Sequence, residues 1–389
     1  MDFTKYEDDF MQIAGNDYSM DIYSRVTGQS LDIRILLKKA KKCKLVILIC
    51  GPTCTGKSRI AALLAGILST DLISVDSMQV YKGMDIGTDK YDVKPLGIKQ
   101  YMVDIVSPEK NFTVVEFRKI CRNIIEKEFF RRKKIPVLAG GSGLYIRAVI
   151  DDLGFIEGGS SYEEYNFTKE PGPIEEVQLI KLKNCSNADG FLNTSVNEKF
   201  REELSKQDAK KLYLKLQEVD PGYASKISSN DKRRILRALE VYEMTGKTFS
   251  SFQVTWNQRK SVYRCVFIGL TSDKEQINSC IEQRVTQMFE LGLIEEVKDL
   301  VANGYEKYNS LKQAVGYKEV IKYLKGESSL EECSEEIIAN TKKLVKKQLT
   351  WFKADPRINW LRTDNYDNIS DLIISILNIV WRELYNEKA

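Results

Sequence analysis

Gly51-Pro52-Thr53-Cys54-Thr55-Gly56-Lys57-Ser58 sets two glycines around a small polar turn and follows the second with a lysine and a hydroxyl. This is the P-loop pattern, and it lies between an apolar run and a helical stretch, as the pattern requires. Backbone N–H groups of such a loop, with the N-terminus of the next helix, form an anion cradle. Lys57 adds a point charge, and the Ser58 hydroxyl can bind Mg²⁺. Gly51, Thr53, Cys54, Thr55, Gly56, Lys57 and Ser58 are therefore candidate phosphate-binding residues, with Ser58 the candidate metal ligand. The loop binds phosphates without saying whose. Asp76 follows a second apolar run, where a carboxylate can serve as a metal ligand, a general base or a cap on the next turn. The chain contains no histidine. That excludes Ser-His-Asp and Cys-His nucleophile systems, two-histidine zinc enzymes and Cys-Cys-His-His fingers. Proton transfer must use carboxylates, lysines, tyrosines or water.

These residues need a rigid frame. Residues 45–50 are a continuous apolar run ending in a glycine turn, the signature of a buried strand. Residues 57–68 read as helix, and 72–75 and 135–139 as two more buried strands. Thr113 and Glu116 form a capping box at the head of a helix expected to reach about Lys133. Strand, helix, strand, helix, strand implies a parallel sheet with helices on both faces. Residues 1–43 are a polar extension carrying some helix, and 151–196 are loop-rich. Helices resume near Asn197 and stop at Gly246, and 265–270 is strand-like enough to rejoin the sheet. Beyond it, Ser272 with Glu275 and Ser329 with Glu332 read as capping boxes, and Gly292, Gly304 and Gly326 as helix ends. A last amphipathic helix covers 370–385.

The composition is that of an ordinary globular protein, with 43% hydrophobic and 29% charged residues in 389. No apolar run is long enough to cross a bilayer, and the first residues are acidic rather than leader-like, so a cytoplasmic location and no membrane partner are expected. The eight cysteines are scattered and read as reduced thiols, mostly core filler. A net charge of +4 argues little about nucleic acid, though lysines can still gather on one face.

The string after the second strand is more specific. Asp76-Ser77-Met78-Gln79-Val80-Tyr81-Lys82-Gly83-Met84-Asp85-Ile86-Gly87-Thr88 resembles the tRNA dimethylallyltransferases. Gly140-Gly141-Ser142-Gly143-Leu144-Tyr145 is similar to that family's third signature. Val219-Asp220-Pro221 with the stretch from Asn230 to Glu240 resembles its tRNA-gripping helix. Arg284 with Met288, Gly292 and Leu293, then Gln313 to Lys318, then Lys346 to Lys353, match further segments in order. The resemblance spans about residues 44–362 and is poor over 151–196. Gln100-Tyr101 stands where many relatives place histidines, and no zinc-finger-like tail follows residue 362, which suggests a bacterial type.

The resemblance implies an α/β fold: a P-loop NTPase-like parallel sheet flanked by helices, with a mainly helical insertion domain. The expected division is extension 1–43, first part of the core 44–150, insertion 151–260, and second part of the core with tRNA-binding helices 261–389. It implies transfer of a prenyl group from dimethylallyl diphosphate to N6 of the adenosine 3′ of the anticodon, with Mg²⁺ as cofactor and the tRNA anticodon stem-loop as partner of a monomer. Asp76 becomes the general base, and Ser58, Ser142 and Arg284 serve catalysis on the diphosphate. Asp76, Ser77, Met78 and Gln79 would touch the flipped base. Arg201, Arg233, Arg234, Arg237, Gln313, Gly316, Tyr317, Lys318, Lys346, Lys347, Gln348, Thr350, Trp351 and Lys353 complete the implied tRNA contacts. Any single lysine among these also fits a solvated helix face, and Trp351 and Phe352 fit base stacking or core packing equally. A small-molecule kinase, a prenyltransferase of free adenine nucleotides and a non-catalytic RNA-binding module are the competing readings.

Overall fold

The computed structural model describes residues 33–153, 200, 202–252 and 258–385. Arg201, most of the N-terminal extension and the loop-rich stretch 154–196 lie outside the described residues. The chain divides into two compact units. One comprises residues up to Asn111, Phe117–Ile150 and the chain from Tyr263 onward; the other comprises Phe112–Glu116 and Asp151–Val262.

The first unit is built on helix α1 (Ile33–Lys42), strand β1 (Leu45–Cys50), α2 (Lys57–Ile67), β2 (Leu72–Ser74), β3 (Gln100–Tyr101) and, from Phe117 on, α3 (Val114–Ile124). Then come β4 (Val137–Gly140), α4 (Gly143–Ile150), β5 (Arg264–Thr271), α5 (Lys274–Glu290) and α6 (Leu293–Ala302). The chain continues through α7 (Tyr317–Leu324), α8 (Leu330–Lys353), β6 (Ile358–Arg362) and α9 (Ile369–Tyr385). The strands form one sheet in the order β3-β2-β4-β1-β5-β6, and every pairing is parallel. β1 lies between β4 and β5, with Cys50 opposite Gly140 and Gly269. All six of its residues are buried, as a strand covered on both faces must be. Leu45, Ile47 and Ile49 point to one face, where α1, α2 and α9 supply Leu36, Ala40, Ile60, Leu64, Ile373 and Leu377. The helix within the extension thus belongs to the main core.

The chain leaves β1 toward β2 on one side and later returns to β5 on the other. The C-terminal ends of β1, β2 and β4 therefore meet where the winding reverses, which is where open α/β sheets take ligands. Two strands escape the sequence reading. β3 has only two residues, and β6 mixes Asn359 and Arg362 with apolar residues. Thr113 and Glu116 do form the expected capping box, at 2.8 and 3.2 Å, but the helix after Ile124 widens into a π-helical segment, Ile125–Phe130. The cap of α5 is Asp273, which accepts from Glu275 N, whereas Ser272 donates to Gln276.

The described part of the second unit is helical, with helices Ala209–Val219, Pro221–Ala224 and Lys232–Thr245. They enclose their own core of Leu204, Leu212, Leu216, Ile235, Leu236 and Leu239. Asp220 is buried and caps twice, accepting from Tyr223 N at 3.0 Å and Ser250 N at 2.7 Å.

Candidate active site

The loop after β1 turns sharply at its centre. Cys54 and Gly56 both take left-handed conformations, with φ of 62° and 71°, and Gly56 opens α2. Thr55 donates its hydroxyl to Pro52 O at 2.9 Å, and Lys57 Nζ folds back on the same carbonyl at 2.5 Å. The first N–H groups of α2 have no acceptor inside the helix and face the cradle. Burial pulls Lys57 down to about 8, while Cys54 and Asp76 act in the opposite direction.

Asp76 follows β2 and is partly exposed. Its Oδ1 accepts from Met78 N at 2.8 Å, so it does cap the next turn, and its Oδ2 has no hydrogen-bond partner among the described residues. At the end of β4, Ser142 Oγ accepts from Ser77 N at 3.3 Å, which sets the third loop beside the Asp76 turn. Arg284, on α5, donates to the Thr53 hydroxyl and pairs with Asp89 at 3.0 Å. The P-loop, Asp76, Ser142 and Arg284, expected from four separate segments, are thus joined by contacts at one edge of the sheet.

Several implied tRNA residues do not face outward. Gln79 is buried, accepting from Ser74 Oγ at 2.6 Å and donating to Thr88 O and Asp89 O at 3.1 and 3.2 Å. Its amide is spent on holding the loop that carries Asp89. Tyr317 is wholly buried and donates to Glu296 at 2.6 Å; burial and that carboxylate push its hydroxyl far above the usual range. Gly316 is buried at the head of α7, its N–H on Glu319 at 2.8 Å. Gln348 accepts from Thr53 N at 3.0 Å and donates to Gly141 O at 3.1 Å. Phe352 is buried, which decides for core packing there. Arg237 is mostly buried against Glu240 at 3.1 Å.

Others do lie at the surface. Gln313, Lys346, Lys347, Thr350, Trp351 and Lys353 are exposed, Lys318 is half-exposed with Glu319 at 3.3 Å, and Ser77 and Met78 flank Asp76. In the second unit Arg233 and Arg234 are exposed, the latter 3.4 Å from Asp231. Trp351 lies flat on the third loop: a Cβ at Gly143 would fall 2.0 Å from the indole Nε1, so only glycine permits the approach.

Sequence reasoning missed Asp89, Glu296 and Cys280. Asp89 directly follows the Asp-Ile-Gly-Thr string and could have been found there. Cys280 lies one turn before Arg284 on α5, and its thiol and that of Cys54 act on one another. Cys280 and Arg284 lower the Cys54 thiol to about 6, whereas Cys54 and burial raise that of Cys280. No local signal joins such distant positions.

A family model described as IPP transferase matches residues 79–355, and one described as Isopentenyl transferase matches 44–97. The tRNA dimethylallyltransferase of Thermoanaerobacter sp. (strain X514) is 40% identical over 337 residues, covering 85% of this chain and 96% of that protein. That of Caldanaerobacter subterraneus subsp. tengcongensis is 40% identical over 332 residues, covering 84% and 94%. Among solved structures, the tRNA delta(2)-isopentenylpyrophosphate transferase of Staphylococcus epidermidis aligns with a TM-score of 0.57 at 31% identity, over 87% of this chain and 99% of that one. A eukaryotic dimethylallyltransferase acting on tRNA aligns with a TM-score of 0.64 at 26% identity, over 86% and 78%. The P-loop NTPase-like sheet, the loops gathered at its edge and relatives matched over nearly their whole length agree: the chain belongs to the IPP transferase family, with the tRNA dimethylallyltransferases.

Proposed function

We propose that this protein transfers the dimethylallyl group of dimethylallyl diphosphate to N6 of the adenosine 3′ of the anticodon in tRNA, releasing diphosphate. The observation that carries the reading is the Asp76 carboxylate at the rim of the phosphate cradle, with Oδ1 held by Met78 N and Oδ2 left to take a proton. An adenine amino group is a poor nucleophile because its lone pair is delocalised into the ring. A carboxylate that accepts its proton as the C–N bond forms removes that obstacle. As the allylic C–O bond breaks, its electron pair passes to the diphosphate. Lys57, Ser58, Arg284 and the loop amides oppose the growing charge. The adenosine must leave the anticodon-loop stack to reach Asp76. Trp351, exposed on Gly143, offers it an aromatic face.

The residues fit a Mg²⁺ ion shared with the substrate. The cradle offers a hard oxygen donor in Ser58, and no cluster of three or more carboxylate or thiol side chains forms a protein cage among the described residues. Mg²⁺ characteristically takes few protein ligands and completes its shell with phosphate and water. Bound there through Ser58, it would neutralise charge on the leaving group.

The test is incubation with total tRNA, Mg²⁺ and labelled dimethylallyl diphosphate, with free AMP in parallel. Label should enter tRNA and not AMP. Asp76→Ala should lower single-turnover prenylation by at least about 100-fold while sparing anticodon-arm affinity. Label in AMP alone, or turnover of ATP to ADP, overturns the reading.

A further inference from the structure

Gln348 belongs to the inward stripe of α8, one turn after Val345 and one turn before Phe352, both buried. Its carboxamide reaches the sheet edge and joins two loops that leave different strands. Oε1 accepts from Thr53 N in the loop after β1, and Nε2 donates to Gly141 O in the loop after β4. The fit is close, since a Cβ on Gly141 would lie 2.4 Å from Nε2. The task needs an acceptor and a donor in one fork. A carboxylate would meet only Thr53, and an ammonium only Gly141. Thr53 also receives Arg284 on its hydroxyl, so the amide fixes the residue on which that guanidinium rests. The outer face of the same helix carries Lys346 and Lys347, both exposed.

We infer that Gln348 is a positioning residue, which holds the P-loop and the Gly141 loop in register and couples RNA docking on the outer face of α8 to the diphosphate cradle. The RNA half of this inference rests on the proposed function; the cradle half does not. The helix is one rigid element, so a load on its outer face is felt at the amide between the loops.

Gln348→Met keeps length and volume and removes both hydrogen bonds. It should weaken binding of inorganic diphosphate, measured by calorimetry without RNA, by about tenfold, the order expected for one or two hydrogen bonds. It should also lower the single-turnover rate at saturating tRNA, while anticodon-arm affinity stays within about twofold. Gln348→Glu keeps the acceptor for Thr53 and sets a carboxylate against Gly141 O; it should be impaired at least as strongly. It decides the matter if the methionine variant does not fold. Lost RNA affinity with unchanged diphosphate binding would overturn the inference and make Gln348 a direct RNA contact. A lower unfolding midpoint with unchanged diphosphate affinity would overturn it as well. If the wild type binds diphosphate but prenylates no tRNA, the functional reading fails, and the diphosphate titrations still decide whether Gln348 sets the cradle.

Discussion

Lys57 is pulled in opposite directions. Burial disfavours its charge, the Cys54 thiol and Asp76 favour it, and burial prevails, leaving it at about 8 against an ordinary 10.5. A polyanion in the cradle adds opposite charge and must raise that value again. Binding should therefore take up a proton wherever free Lys57 is neutral. With the folded value depressed, the ligand-free lysine is charged below about 8 and neutral above it. Diphosphate affinity should be flat below that point and fall as pH rises through it, approaching one log unit per pH unit from this group. Calorimetry of inorganic diphosphate between about pH 7 and pH 10 checks this against Lys57→Arg, whose guanidinium stays charged and so subtracts titration of the ligand itself. Parallel profiles would mean Lys57 is charged throughout. The turn between β1 and α2 was legible in the sequence because its residues are contiguous: one segment supplies the glycines, the lysine and the hydroxyl. The residues that orient it, Asp89, Glu296 and Gln348, were not legible in those roles. Each acts through a contact far along the chain, and a single sequence records side-chain types without saying which atoms they meet.

At the scale of elements, the segment between β2 and β3 has almost no regular structure, yet it is held at several points. Glu296 on α6 accepts from the N–H groups of Asp85, Ile86 and Gly87 at 3.0, 2.8 and 3.3 Å, and from the Tyr317 hydroxyl. Lys90 donates to Tyr81 O at 2.7 Å and to Asp85 and Asp104 at 2.5 and 2.6 Å. Gly87 lies against the Tyr317 ring, where a Cβ would fall 2.3 Å away. One carboxylate thus replaces the hydrogen bonds a helix or strand would have made, and the loop it sets delivers Asp89 to Arg284. Glu296→Gln keeps the shape, weakens the charge-assisted bonds and turns an N–H₂ toward donors. It should cost about 1–3 kcal/mol in urea denaturation and lower diphosphate affinity through a loosened Arg284. Unchanged affinity at reduced stability would show that the loop does not set Arg284. The strand and helix alternation was legible because β1, β2, β4 and β5 are apolar runs buried on both faces. β3 was lost to its two-residue length, β6 to its mixed composition, and the α5 cap to two adjacent residues that both cap well.

Over the whole molecule, charge has to act locally. A net charge of +4 on 389 residues gives no field strong enough to gather RNA by itself, so attraction must come from clusters. α8 offers Lys346, Lys347 and Lys353 at its exposed end. The second unit, which has its own hydrophobic core, offers Arg233 and Arg234 on the first turn of helix Lys232–Thr245. Basic side chains at a helix N-terminus run against the macrodipole, so helix stability does not explain their placement there. The following turn carries the core residues Ile235, Leu236 and Leu239, so replacing both arginines by alanine leaves the packing in place. Each phosphate contact to single-stranded RNA contributes a slope of roughly −0.7 in log affinity against log salt. The double variant should therefore bind an anticodon stem-loop more weakly and flatten its salt dependence by roughly one to two units. Diphosphate affinity should be untouched, since the cradle residues all belong to the first unit. A salt titration of wild type and variant measures the difference. Coincident slopes would return Arg234 to its ion pair with Asp231, and would leave Lys318 and the lysines of α8 to hold the RNA.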